Sequence, residues 1–313
     1  MKTEHFASVT ACAILCGIFG FVLHASSSPT DFDIPKTPDG TVIAIVEALH
    51  EKHPEILWSA LPPSYRKDIS EITSDFAAKT DPEVYDHAFA LLMRAFEVLD
   101  DQKDIIIGSQ TFQESGADAA EVRAALSDTQ AFTSILKGSE IATVAGLQTI
   151  DWERFLATTG AKLMAQAEAI DTGESTNPFE ELVSIKAETI MIDGDRATLR
   201  ISSKEHDPED VEMVRIEDRW IPTDLADEWP EFVADARQGL AEMTPETMAA
   251  QKTQIMMFLG MAEGFIDQVA ALQTPEEFDA AIGPMLAPFM GGVGTGFDDE
   301  SAWETPDEGQ NSE

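Results

Sequence analysis

Lys186–Asp227 reads KAETIMIDGDRATLRISSKEHDPEDVEMVRIEDRWIPTDLAD, and the reading of this stretch decides the fold. Ile190, Ile192, Ala197, Leu199 and Ile201 alternate with polar neighbours, the period of a strand with one buried face. Asp193-Gly194 separates two such runs and predicts a tight turn with positive φ that joins them as a hairpin. A second alternating pair, Val211 to Glu217 and Arg219 to Pro222, breaks at Asp218. The expectation is an antiparallel meander of about four short strands over residues 187–222.

Helical patterns flank this sheet on both sides, so the fold class is α+β: mainly helical, with one antiparallel meander packed against helices. Before it, a stripe of Val42, Ile43, Val46 and Leu49 stops at Pro54. Pro62-Pro63 interrupts the chain, and Ser64 is placed to cap a helix carrying Ile69, Ile72 and Phe76. Asp81-Pro82-Glu83 is a start signal for a longer helix with Val84, Ala88, Leu91, Leu92, Ala95, Phe96 and Leu99 as its apolar face. Ile105-Ile106-Ile107 is read as helix, as are 119–136, closed by Gly138, a short turn at 141–147 and a helix at 151–170. Asn177-Pro178-Phe179-Glu180 starts a short helix leading into the sheet.

After the meander, 229–243 and 246–272 read as helices, with start signals at Thr244-Pro245-Glu246 and at Thr274-Pro275-Glu276-Glu277, the latter a full capping box. The long helix is expected to bury Met248, Ile255, Leu259, Ala262, Ile266 and Val269, and Met256, Met257 and Met261 are taken as core filling. Phe278, Ile282 and Leu286 continue the pattern to Pro288. The shared grammar of helix starts is capping chemistry without a repeat period.

The 313 residues hold 58 acidic and 20 basic side chains, a net charge of −38. Such a chain repels phosphate and carries no basic cluster with interleaved aromatics, so neither nucleic acid nor an anionic membrane surface is expected as a partner. The simpler reading of the acids is a solvated surface. The N-terminus has a short basic start, an apolar stretch from Phe6 to Leu23 and small residues from Ala25 to Ser28. That describes a signal peptide over residues 1–25, and an exported, periplasmic or extracellular location; an anchor through uncleaved residues 6–23 is the alternative. Both cysteines, Cys12 and Cys16, fall inside that stretch, so cleavage would leave no disulfide, no thiolate nucleophile and no Cys-ligated zinc. No later segment is apolar enough to span a membrane. The remaining divisions are a linker at 26–40, a helical region at 41–147, an α+β region at 148–290 and a disordered acidic tail at 291–313, where Asp298 to Glu313 carries seven acids and no base.

Two resemblances add to this. The block from Trp58 to Asp68, WSALPPSYRKD, followed by a long amphipathic helix and later by the meander, is similar to uncharacterised exported proteins of planctomycete-type bacteria. It implies export and fold and assigns no functional residue. Ile190 to Ile201, with the Val214 to Trp220 hairpin and Pro222, resembles the cone-shaped α+β folds of nuclear-transport-factor-2-like and cystatin-like domains. Catalytic members of that group place an acid and a histidine or tyrosine in the cone, whereas the apolar strand face here offers Ile, Leu and Val.

Several constellations invite chemistry. His50 and His53 lie three apart at a helix end, one short of the zinc-protease spacing and without its third ligand. Glu205-His206-Asp207-Pro208-Glu209-Asp210 is dense in carboxylates but lacks the EF-hand order, and reads as a solvated loop. Gly291–Gly296 mimics a phosphate loop by composition, yet follows a helix and has no lysine. No Gly-x-Ser-x-Gly elbow occurs. No residue is therefore singled out as catalytic, cofactor-binding or metal-binding. The functional expectation is a non-enzymatic exported protein acting through binding or assembly, with an unidentified protein or small molecule as partner. The alternative is an enzyme pairing an acid with His87 or Tyr85 in a pocket.

Overall fold

Alternation and turn chemistry produce the expected sheet. The computed structural model describes residues 32–169, 182–204 and 206–281. Strands β1 (Lys186–Asp193), β2 (Arg196–Ser202), β3 (Glu209–Ile216) and β4 (Arg219–Pro222) form one antiparallel sheet in sequential order. Asp193 pairs with Arg196, so the first hairpin turns on Gly194-Asp195, one residue later than the sequence suggested. Gly194 alone has positive φ there (61°), as a II′ turn requires. Glu217 and Asp218 both have positive φ (49° and 62°), the I′ pattern, and close the second hairpin without a glycine.

The sheet is covered unequally. Helix α1 (Pro38–His50) starts at a proline behind the Thr37 cap and lays Val42 and Val46 on Ala197, Leu199, Met213 and Trp220. The Trp220 indole N–H donates to the Lys36 carbonyl (2.9 Å), which ties the segment before α1 to the same face. On the opposite face, Val214 and Ile221 pack with Leu61, Tyr65 and Trp229, while the β1–β2 half is open. There Arg200 forms a bidentate pair with Asp210 (2.8 and 2.9 Å) and Thr198 donates to Glu212 (2.8 Å).

Ile190 and Ile192 correct the expected core. Both are about half exposed, because the β1–β2 register shifts between Thr189 and Met191. Ile192 keeps the face of its partner Ala197 but sits on the edge strand; a bulge of this kind re-aims side chains near a sheet edge.

Before the sheet the chain forms α2 (Glu55–Ala60), α3 (Pro63–Lys79), α4 (Pro82–Asp101), α5 (Lys103–Gly108), α6 (Gln110–Ser115), α7 (Ala119–Lys137) and α8 (Val144–Gln148). The expected helix at 151–170 is α9 (Trp152–Phe155), a π-helical turn (Leu156–Gly160) and α10 (Ala161–Ala169). Ser64 does not cap α3: the helix begins at Pro63, and the distant Glu217 carboxylate accepts from the Ser64 N–H (2.8 Å). The start at Asn177-Pro178 lies outside the described residues.

After the sheet, α11 (Thr223–Glu242) begins immediately behind β4, ahead of the start expected at residue 229, and carries Pro230 inside it. Helix α12 (Pro245–Ala270) follows, then a helix at 275–281, written α13. At α13 the Thr274 hydroxyl accepts from Glu277 N–H (3.2 Å), but Glu277 reaches back to the Gln273 N–H (2.8 Å) and not to Thr274, so the box is displaced by one residue.

Candidate interaction surface

Helix α12 begins at a reciprocal cap, in which the Thr244 hydroxyl accepts from Thr247 N–H and the Thr247 hydroxyl from Thr244 N–H. It runs parallel to α4. Lys252 meets Asp81 and Glu83 (2.9 and 2.7 Å), Glu263 approaches His87 (3.7 Å) and Arg94 (3.9 Å), Arg94 also pairs with Asp267, and Gln102 donates to the Ala270 carbonyl (2.9 Å). The Lys252 ammonium bonded to the Asp81 carboxylate, together with the Val84 and Glu83 N–H groups, holds that carboxyl below its ordinary range. Val98, Val269, Leu272 and Phe278 close an apolar cluster at the far end.

These pairs use up the charge of the helix. Pro245–Ala270 contains four charged residues, Glu246, Lys252, Glu263 and Asp267, and the last three all face α4. The opposite side presents Met257, Phe258, Met261 and Phe265 at 57, 53, 54 and 38 % exposure. A globular helix turns an apolar stripe inward, and Ile266 and Val269 do pack there; Glu263 and Asp267 stay about half exposed (46 and 55 %) along the α4 seam, so α12 is apolar on its outward side as well as its inner one. Met257 and Met261, taken as core filling from their helical spacing, are surface residues. Leu92 and Leu99 of α4, also expected in the core, are exposed as well, while Leu91 is buried. Gly260 and Gly264 lie on α12 where an added Cβ would meet nothing within 4 Å among the described residues. Each costs about 1 kcal/mol of helix stability relative to alanine.

The other sequence candidates are dispersed. His50 is exposed in the last turn of α1, but the chain leaves the helix at Glu51 and Lys52 (φ 68°), so His53 is not on its face. His53 instead packs edge-on to Phe32 and meets Glu55 (Nδ1 to Oε1, 3.0 Å). Glu55 is fully buried, and its Oε2 has no hydrogen-bond partner among the described residues. Sequence reading missed this acid, which looks like an ordinary first-turn glutamate behind Pro54. The signal was the brevity of α2, whose Ile56 and Leu57 leave it no solvent face. His206, Asp207 and Pro208 are exposed, and Asp210 is committed to Arg200. Among the described residues no group of three or more His, Cys, Asp and Glu is placed to hold a metal ion.

Tyr85 and His87 do not converge. The Tyr85 hydroxyl donates to the Ile141 carbonyl (2.8 Å) beside Phe76, and burial, with Asp86 near it, pushes the phenol above its ordinary value. His87 faces Glu263 on α12. Gly291–Gly296 lies outside the described residues. Among those residues no helix is long and apolar enough to cross a membrane. Compared with known proteins, the chain matches no family model, no curated protein and no solved structure.

Proposed function

We propose that this is an exported protein that works by binding or assembly, and that it docks an uncharged protein surface through the outward side of α12. The observation that carries the reading is the outward side of this helix: in a chain of net charge −38, about five turns from Ala249 to Gln268 carry their three charged residues along the α4 side and display Met257, Phe258, Met261 and Phe265 on the other. Contiguous exposed apolar surface marks interaction sites, and interface centres are poor in charge and rich in Phe and Met. Export is supported by the N-terminal stretch, with its basic start, apolar Phe6–Leu23 and small residues after it.

The test is a photo-activated cross-linker at position 261 in protein recovered from the producing cell's envelope. An adduct is expected at 261, absent from the same probe at Glu121 and lost when Phe258 and Phe265 are changed to glutamate. An adduct that ignores those two changes, or none above the Glu121 control, sinks the docking role. Intact mass of the same material should show a chain beginning between Ser26 and Asp31; retention of residues 1–25 replaces export by cleavage with an anchor.

A further inference from the structure

We infer that Met257 and Met261 form an oxidation site on α12, where an oxidant of the peroxide class converts two thioethers to sulfoxides and turns the outward side of the helix polar. The site stands on the geometry of α12; its consequence, release of a docked surface, rests on the docking role proposed above.

Beyond Cys16 the chain holds sulfur only as methionine. Oxidation of a thioether follows its exposure, and the described methionines divide sharply by that measure. Met93, Met164 and Met213 are buried and Met243, Met248 and Met256 are half-buried, whereas Met191, Met257 and Met261 are each more than half exposed. Met191 lies on β1 and serves as the control for exposure alone. Met257 and Met261 lie four apart on α12, so their side chains are neighbours on one side of the helix.

Residues 257–264 read MFLGMAEG, which places a glycine three residues after each exposed methionine. A helical side chain covers the turn N-terminal to its own Cα. Side chains at 260 and 264 would therefore lie over Met257 and Met261. Glycine leaves that approach bare, and nothing among the described residues comes within 4 Å of where either Cβ would stand.

The step balances with hydrogen peroxide as the oxidant. A thioether lone pair attacks one peroxide oxygen, and the S–O bond forms as the O–O bond breaks. The transferred oxygen passes its proton to the departing hydroxide, which leaves as water; sulfur loses two electrons and the peroxide gains them. Met261 sits three residues after Phe258 and four before Phe265, so its sulfoxide sets a polar S–O group in the middle of the apolar side. A polar group buried there without a hydrogen bond opposes docking, and reduction of the sulfoxide restores the apolar side chain.

Limited peroxide treatment of the exported protein, followed by peptide mass mapping over time, reads the site. Met257 and Met261 should each gain one oxygen at least about 10-fold faster than Met93, Met164 and Met213. Gly264→Leu should slow the reaction at Met261, and Gly260→Leu that at Met257, with far-ultraviolet circular dichroism unchanged. The consequence is read with a photo-activated cross-linker at the exposed Gln254, one turn before Phe258. Its adduct should be lost on oxidation, be lost equally in Met191→Leu, and return after treatment with methionine sulfoxide reductases for both epimers. Rates at Met257 and Met261 no faster than at the three buried methionines overturn the site, and rates unmoved by either leucine overturn the part given to the glycines. An adduct that survives when mapping shows both methionines oxidised, or whose loss Met191→Leu abolishes, overturns the switch. No adduct before oxidation removes the docking role and the switch together, and the oxidation rates then decide the site alone.

Discussion

Leu199 and Thr198 are neighbours on β2 with opposite fates. Leu199 is fully buried against α1, and Thr198 faces the open side beside Glu212. Leu199→Ala should cost about 2 to 5 kcal/mol, and Thr198→Ala under about 1 kcal/mol. Equal losses in urea denaturation would mean that the strand is not two-faced. Glu55 makes a sharper case. His53→Ala would leave its carboxylate buried without a side-chain partner among the described residues, an expected loss of roughly 1 to 3 kcal/mol; a change within the error of the denaturation curve would show that the His53 contact is incidental. Asp118 carries a pH dependence of known sign. The N–H groups of Glu121 and Ala120 bond its carboxylate and hold it below the ordinary range. A depressed folded-state value contributes stability above the unfolded value, near about 4, and loses it as pH falls through the folded value. Asp118→Asn keeps the acceptor and removes the charge. Its deficit against wild type should be full at neutral pH and vanish on acidification, and a deficit constant with pH would contradict the cap.

At the scale of elements, the helix starts read from sequence are those where a local cap is followed by proline and an acid. Asp81 and Thr244 cap where their sequences place a start, because cap and recipient are within three residues of each other, whereas Thr37 and Asp118 cap helices whose starts the sequence reading left unmarked. The start of α3 was not legible, since its acceptor is Glu217, 153 residues further along the chain. Glu217→Ala, which leaves the positive φ equally unfavourable, should cost about 0.5 to 2 kcal/mol, and Glu217→Gln less. Calorimetry showing no difference between the two would deny the capping role. The α4–α12 pair shows the converse failure. Both helices are apolar over more than one side, and periodicity reports that a stripe exists without saying which neighbour covers it. Leu92, Leu99, Met257 and Met261 were assigned inward for that reason, and all four are exposed.

For the whole molecule the acidic excess sets the response to salt. Lys2 and Glu4 cancel, so loss of residues 1–25 leaves the balance at −38. Like charges within a Debye length, about 8 Å at physiological ionic strength, repel in the folded chain and separate on unfolding. The melting temperature should therefore rise as sodium chloride goes from low salt to about 0.5 M, where the screening length lies between the roughly 10 Å of 0.1 M and 3 Å of 1 M. A melting temperature flat in sodium chloride that jumps with micromolar calcium would make the carboxylates a binding site. What the sequence alone determined is what a few adjacent residues determine: the meander with its breaks near Gly194 and Asp218, the capped helix starts, the α+β class and the surplus of acid. The alternation of side chains and the bonding of a cap act over two to four residues, so they are written locally. Tertiary structure decided which apolar faces are covered: α1 rather than solvent over Leu199, open edge at Ile192, a buried carboxylate at Glu55, and α12 with its charges along the α4 side. The covering of Leu199 and the seating of α12 depend on partners more than a hundred residues away, and no local pattern encodes which side of a helix apolar nearly all round will be left facing out.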